Sequence, residues 1–102
     1  MSRPVKLMVP AEVLDQFWSA CHRRGLTPSA AIIRILDRVV DGEAELESPN
    51  WAYRQGAKDV LAVTWSDDDA QYFVAESERR GMRKSVLATA LARTWIADDS
   101  II

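Results

Sequence analysis

Residues 22–29 read HRRGLTPS and residues 78–85 read ERRGMRKS, two nearly synonymous octapeptides 56 positions apart in a chain of 102. Carrying that offset outward tests whether the echo is local or the trace of a duplicated unit. Residue character survives without a gap. Toward the N-terminus Cys21 aligns with Ser77, Trp18 with Val74, Phe17 with Phe73, Leu14 with Ala70, Val9 with Trp65, Leu7 with Val63 and Val5 with Leu61. Toward the C-terminus Leu26 aligns with Met82, Ser29 with Ser85, Ala31 with Leu87, Ile35 with Leu91, Val39 with Trp95 and Val40 with Ile96.

Each copy opens on an alternating run. Val5, Leu7 and Val9 face one way and Lys6 and Met8 the other, the period of a strand with one buried face. In the second copy Leu61, Val63 and Trp65 form the inward set, leaving Val60, Ala62 and Thr64 outside. A first helix follows. Pro10 suits its first position because proline has no N–H to leave unpaired. In copy two Ser66 suits the N-cap, and Asp67, Asp68 and Asp69 place negative charge at the positive end of the helix dipole. Apolar residues recur at helical spacing, Val13, Leu14, Phe17, Trp18 and Cys21 in one copy and Ala70, Phe73 and Val74 in the other. Gly25 and Gly81 end these helices. Second helices run over 29–40 and 85–97, with Ile32, Ile35, Leu36 and Val39, and Leu87, Leu91 and Trp95, turned inward.

Length and composition match one soluble domain with one core: 48% of residues are hydrophobic and 27% charged. No stretch approaches the roughly 20 apolar residues of a spanning helix, and Met1 to Pro10 lacks the apolar centre of a signal peptide. A cytoplasmic protein without a membrane partner is the expectation. Cys21 is the only cysteine and His22 the only histidine, which leaves no disulfide and argues against a structural zinc site. No metal or cofactor is expected.

A unit of about forty residues rarely buries enough surface to stand alone, and a lone strand has no partner for its amides. The two copies are therefore expected to complete each other, strand 4–9 pairing antiparallel with strand 60–65 above four intertwined helices. The fold class expected is mainly α with a two-stranded antiparallel β-ribbon. Residues 1–42 form repeat one, 43–57 an acidic and aromatic linker and 58–102 repeat two, within one intertwined domain.

The runs VKLMVPAEVLDQFW and RRGLTPSAAIIRIL, a strand leading through proline into a glycine-ended helix and then a helix opening with Thr or Ser, resemble the ribbon-helix-helix superfamily of the Arc/MetJ-like type. Most members pair two identical chains. A covalent tandem, βαα-linker-βαα, is similar to the TraY-like proteins of conjugative systems and to some viral regulators. The resemblance implies a pseudo-dimeric monomer that binds double-stranded DNA through a ribbon in the major groove, as a transcriptional repressor or relaxosome-type accessory factor of a plasmid or phage, with further assembly on longer sites left open.

Carried over by position, the groove-facing residues are Pro4, Lys6 and Met8 with Val60, Ala62 and Thr64. Lys6 and Thr64 supply hydrogen bonds to base edges, and Met8 and Ala62 suit contact with a thymine methyl. Family members also hold phosphates at the start of the second helix. Arg83, Lys84 and Ser85 fit that role in copy two, and Thr27 and Ser29, without a cation, in copy one. Arg3, Lys58 and Arg54 flank the ribbon.

The net charge of −2 is unusual for a DNA-binding chain, but its distribution is uneven. Residues 1–40 carry +3, 41–57 carry −3 and 58–102 carry −2. The acidity concentrates in the linker, the first turn of the third helix and the tail. Within the linker Trp51 and Tyr53 either pack on the core or form a partner-binding patch. That second option supports an alternative, a ribbon-helix-helix scaffold that binds protein, such as a phage-type inhibitor of a host nucleoprotein complex of the anti-CRISPR kind. The remaining features have plain explanations. Asp67 to Asp69 serve the helix dipole, Cys21 is a buried small hydrophobe, and the pairs Arg23-Arg24 and Arg79-Arg80 are solvated helix ends. With no phosphate loop and no paired catalytic carboxylates, an enzyme is not expected.

Overall fold

Alternating apolar residues at the start of each repeat form the two strands, and the glycine-punctuated segments after them form helices. The computed structural model describes residues 2–47 and 57–102, except the side chains of Ser2 and Arg3. The order is β1 (Ser2–Pro10), α1 (Ala11–Arg24), α2 (Pro28–Val40), β2 (Lys58–Ser66), α3 (Asp67–Arg79) and α4 (Lys84–Ala97), closed by a 3-10 turn at Asp99–Ile101. The protein is mainly helical, with one two-stranded antiparallel sheet.

The register pairs Lys6 with Ala62, flanked by Pro4 with Thr64 and Met8 with Val60. Leu7, Val9, Leu61, Val63 and Trp65 point down and are at most 3% exposed, and Val5 is half-buried. Beneath them lie Val13, Leu14, Phe17, Ala20 and Cys21 of α1 and Ala31, Ile32, Ile35, Leu36 and Val39 of α2. α3 contributes Phe73, and α4 contributes Leu87, Leu91 and Trp95. Phe17 meets the Trp95 ring edge-on with centroids 5.8 Å apart, and Trp65 lies tilted on Phe73 at 4.7 Å. Such pairs add about 0.5–1.5 kcal/mol to the area they bury. The radius of gyration, 12.3 Å, is that of one compact domain of this length.

α4 is the central helix. Ala88, Thr89, Ala90, Ala92 and Thr94 are buried as well as its large residues, so it is enclosed on nearly every side. Its alanines let neighbouring backbones approach, and its threonines stay satisfied by donating to carbonyls one turn back, Thr89 to Ser85 at 2.8 Å and Thr94 to Ala90 at 2.7 Å. Thr94 Oγ1 also accepts from the Glu47 amide at 2.9 Å. With Ala44 and Leu46 packed on the core, this draws the described start of the linker along α4.

Both first helices end alike. Gly25 and Gly81 take φ of 64° and 65°, and the next amides, Leu26 and Met82, donate back to Cys21 and Ser77 carbonyls at 3.0 and 2.9 Å. A left-handed backbone here favours glycine.

Three expectations are corrected. Pro10 is not the first helical residue. Its ψ of 133° keeps it extended, paired with Lys58 as the last residue of β1, and Ala11 begins the helix. Trp18 is 49% exposed rather than part of the buried stripe, because it lies about 100° around the helix from Phe17, past the margin of the contact with α4. The arginine pairs are also not simply solvated. Arg24 Nη1 donates to the Asp99 carbonyl at 2.9 Å and its Nη2 to that of Ile102, while Arg79 grips the buried Glu76 with Nε at 2.7 Å and Nη2 at 2.8 Å. Arg80 is half-buried. The Arg24 acceptors come from the segment after α4, whereas Glu76 lies three residues before Arg79 on the same helix.

Candidate nucleic-acid interface

The outer face of the ribbon follows from strand parity. With the odd-numbered residues 5–9 and 61–65 committed to the core, Pro4, Lys6, Met8, Val60, Ala62 and Thr64 are left exposed above it. Met8 and Val60 are 39% and 44% exposed and directly opposed.

The second helices hold this ribbon by its edges. The Met8 amide donates to Ser85 Oγ at 3.0 Å, and the Thr64 amide donates to Ser29 Oγ at 2.8 Å. Met8 and Thr64 differ by 56 positions, as do Ser29 and Ser85. The N-termini of α2 and α4 therefore flank opposite edges of the ribbon, each fastened to the strand from the other half of the chain. Each hydroxyl accepts from a strand amide and keeps its own proton to donate outward. The Ser29 carbonyl also accepts from Trp65 Nε1 at 2.9 Å, which locks α2 to β2 from below.

The two helix starts differ electrically. At α2, Thr27 Oγ1 accepts from the Ala30 amide at 3.2 Å and Pro28 contributes no N–H, so that end is already capped. At α4, Arg83 is the N-cap residue with extended backbone and makes no side-chain cap, which leaves first-turn amides facing outward beside two exposed cations, Arg83 and Lys84. A groove of about 500 Å³ runs from there to the ribbon, lined by Lys6, Glu78, Met82, Arg83, Lys84 and Ser85 among others.

No protein-family model, curated protein or solved structure matches the chain.

The residues singled out from sequence thus fall in different places. Lys6, Arg83, Lys84 and Ser85 share one groove, while Met8, Ala62 and Thr64 share the ribbon face with Lys6. Thr27 and Ser29 sit at the opposite edge, and Lys58 opens β2 opposite Pro10. Trp51, Tyr53, Arg54 and the Arg3 side chain lie outside the described residues and side chains.

Sequence reasoning missed the anchoring role of Ser29 and Ser85. A signal for it existed, since a polar residue recurs unchanged in a repeat that mainly conserves apolar character. Glu78 was also missed, a carboxylate that lines the groove beside the cations and offsets part of their charge.

Elsewhere the chemistry is quiet. Cys21 is 1% exposed and burial pushes its thiol up to about 11, so it remains a protonated hydrophobe. Arg79 beside Glu76 holds that carboxyl below its ordinary value of 4.5, its hydrogen bond outweighing the cost of burial.

Proposed function

We propose that this chain is a covalent tandem of two ribbon-helix-helix units and that it binds duplex DNA by laying its ribbon in the major groove. The observation that carries the reading is the pair of hydrogen bonds from Met8 to Ser85 and from Thr64 to Ser29. Related by the 56-residue offset about the Lys6–Ala62 pair, they bring two helix N-termini to the two edges of one exposed ribbon. A two-stranded ribbon fits a groove about 12 Å wide, and helix N-termini beside it suit the phosphates on either side. Lys6 serves the groove floor, Arg83 and Lys84 the backbone. Acidic Asp67 and Asp68 start α3 beyond the end of β2. The role that follows is a cytoplasmic regulator or accessory factor acting on DNA.

Binding of the purified chain to a pool of short random duplexes across a salt series tests the reading. Affinity should fall steeply with salt, and Arg83→Ala with Lys84→Ala should flatten the slope of log K against log salt by about 2. Absence of duplex binding at low salt refutes it. A protein-docking scaffold is the second reading, favoured by the half-exposed Trp18 and the net charge of −2. Partner capture abolished by Trp18→Ala, without any duplex binding, would decide for it.

A further inference from the structure

The outer face of the ribbon differs at its two ends. The 56-residue offset exchanges Met8 with Thr64, Val60 with Pro4 and Lys6 with Ala62. The Met8–Val60 pair at one end therefore answers to the Thr64–Pro4 pair at the other. Met8 and Val60 offer no hydrogen-bond donor and, in the thioether, only a weak acceptor, and residues opposed on one ribbon face sit about 5 Å apart, so they form one continuous apolar surface. Thr64 presents a hydroxyl.

The flanking helices repeat this asymmetry. Met8 is fastened to Ser85, which brings Arg83 and Lys84 to the apolar end. Thr64 is fastened to Ser29, where Thr27 caps the helix and Pro28 follows it. Apolar contact and phosphate-seeking charge thus coincide at one end of the ribbon, whereas the other end pairs Thr64 with Pro4 and, among the described side chains, has no cation at its helix start.

Resting on the DNA reading above, we infer that the recognised site is asymmetric, with a thymine-bearing half seated on Met8 and Val60 and a guanine within reach of Lys6. In the major groove the C5-methyl of thymine is the apolar feature of the unmodified base edges. An adenine or cytosine amino group pressed against Met8 and Val60 gives up its water and gains at best the weak thioether acceptor. Lys6, at the centre of the register, matches the paired acceptors N7 and O6 of guanine, and Ala62 opposite leaves that side chain room. Lys6 and Met8 are two residues apart on one strand, about 6.7 Å. This spans about two base-pair steps, which sets the distance between guanine and thymine. The Thr64 end contributes one hydroxyl contact and tolerates variation.

The experiment enriches a sequence from random duplexes and remakes it with uracil for every thymine, which removes the methyl groups and leaves the hydrogen-bonding edges. The enriched site should lack palindromic symmetry. The uracil copy should bind about fourfold more weakly for each methyl seated on the ribbon. Met8→Ala with Val60→Ala should narrow the difference between the two copies while keeping the salt dependence of the parent chain. Equal affinity of the parent for the two copies, or a palindromic site, overturns the inference while the DNA reading stands. If no duplex is enriched even at low salt, the DNA reading falls and this inference falls with it.

Discussion

Removing the hydroxyls of Ser29 and Ser85 separates the ribbon from its helices while leaving the core intact. Alanine is nearly isosteric with serine and helix-favouring, and the backbone bonds of both residues survive. The Ser29 carbonyl still accepts from Trp65 Nε1, and that of Ser85 from Thr89 Oγ1. What is lost is one acceptor for the Met8 amide at 3.0 Å and one for the Thr64 amide at 2.8 Å. Both bonds lie where water can reach the freed amide, so each substitution should cost about 0.5–1 kcal/mol, the lower part of the range for a hydrogen bond. The sites are at opposite edges and share no partner, so the double variant should lose about 1–2 kcal/mol. In a domain of this size that lowers the midpoint of thermal unfolding by roughly 5–15 °C. Amide hydrogen exchange provides the sharper assay. Ser85→Ala should accelerate Met8 and spare Thr64, and Ser29→Ala should do the converse, whereas Ser85→Thr should retain most of the protection. Exchange at Met8 and Thr64 that ignores both substitutions, or responds to the serine at the wrong edge, refutes the crossed arrangement.

Four further outcomes are expected. Trp95→Ala, which empties a fully buried site beside Phe17, should cost about 3–5 kcal/mol in urea unfolding, enough to leave a marginal domain largely unfolded. Gly25→Ala and Gly81→Ala meet open space but a left-handed backbone, and each should cost about 1 kcal/mol by the same measurement. The Glu76 carboxyl has a lowered folded-state pKa, so its contribution is complete above the ordinary value of 4.5 and fades as acid protonates it; Glu76→Gln should weaken the dependence of stability on pH below that value. Cys21, with its thiol pushed up to about 11, should resist thiol reagents at neutral pH in the folded protein and react once urea unfolds it.

The strands and helices were legible because their signals are periodic and local. Parity separated Leu7 and Val9 from Lys6 and Met8, and glycine marked where α1 and α3 stop. The antiparallel pairing of β1 with β2 followed from the need of two lone strands for partners, whereas its register, with Lys6 opposite Ala62, is set by the fold. Trp18 was misread because apolar periodicity gives a stripe its direction but not its width, which the facing helix sets. The partners of Arg24, the Asp99 and Ile102 carbonyls, were not legible because they arrive from the segment after α4, whereas Arg79 and Glu76 are an i, i+3 pair whose spacing was there to read. Of the candidate interface, sequence supplied the proposed members, Lys6, Thr64 and Arg83 to Ser85. It did not supply the capped state of α2, the uncapped state of α4 or the presence of Glu78 in the groove, all of which depend on how helix starts meet strands in space.

Because β1 and β2 come from different halves of the chain, with α1 and α2 between them, the outer face exists only after the two halves have met. Contacts such as Met8 to Ser85 close 77 residues of sequence, a topology that folds slowly for its length and offers no local shortcut to a formed face. The same wiring runs in reverse once the face is occupied. A ligand held there grips both halves of the chain at once, so its binding energy resists unfolding of the entire molecule: at a hundred times its dissociation constant it adds about 2.7 kcal/mol to global stability. A shift in melting temperature on adding a ligand is therefore a direct reading of occupancy, available before any sequence or partner is known.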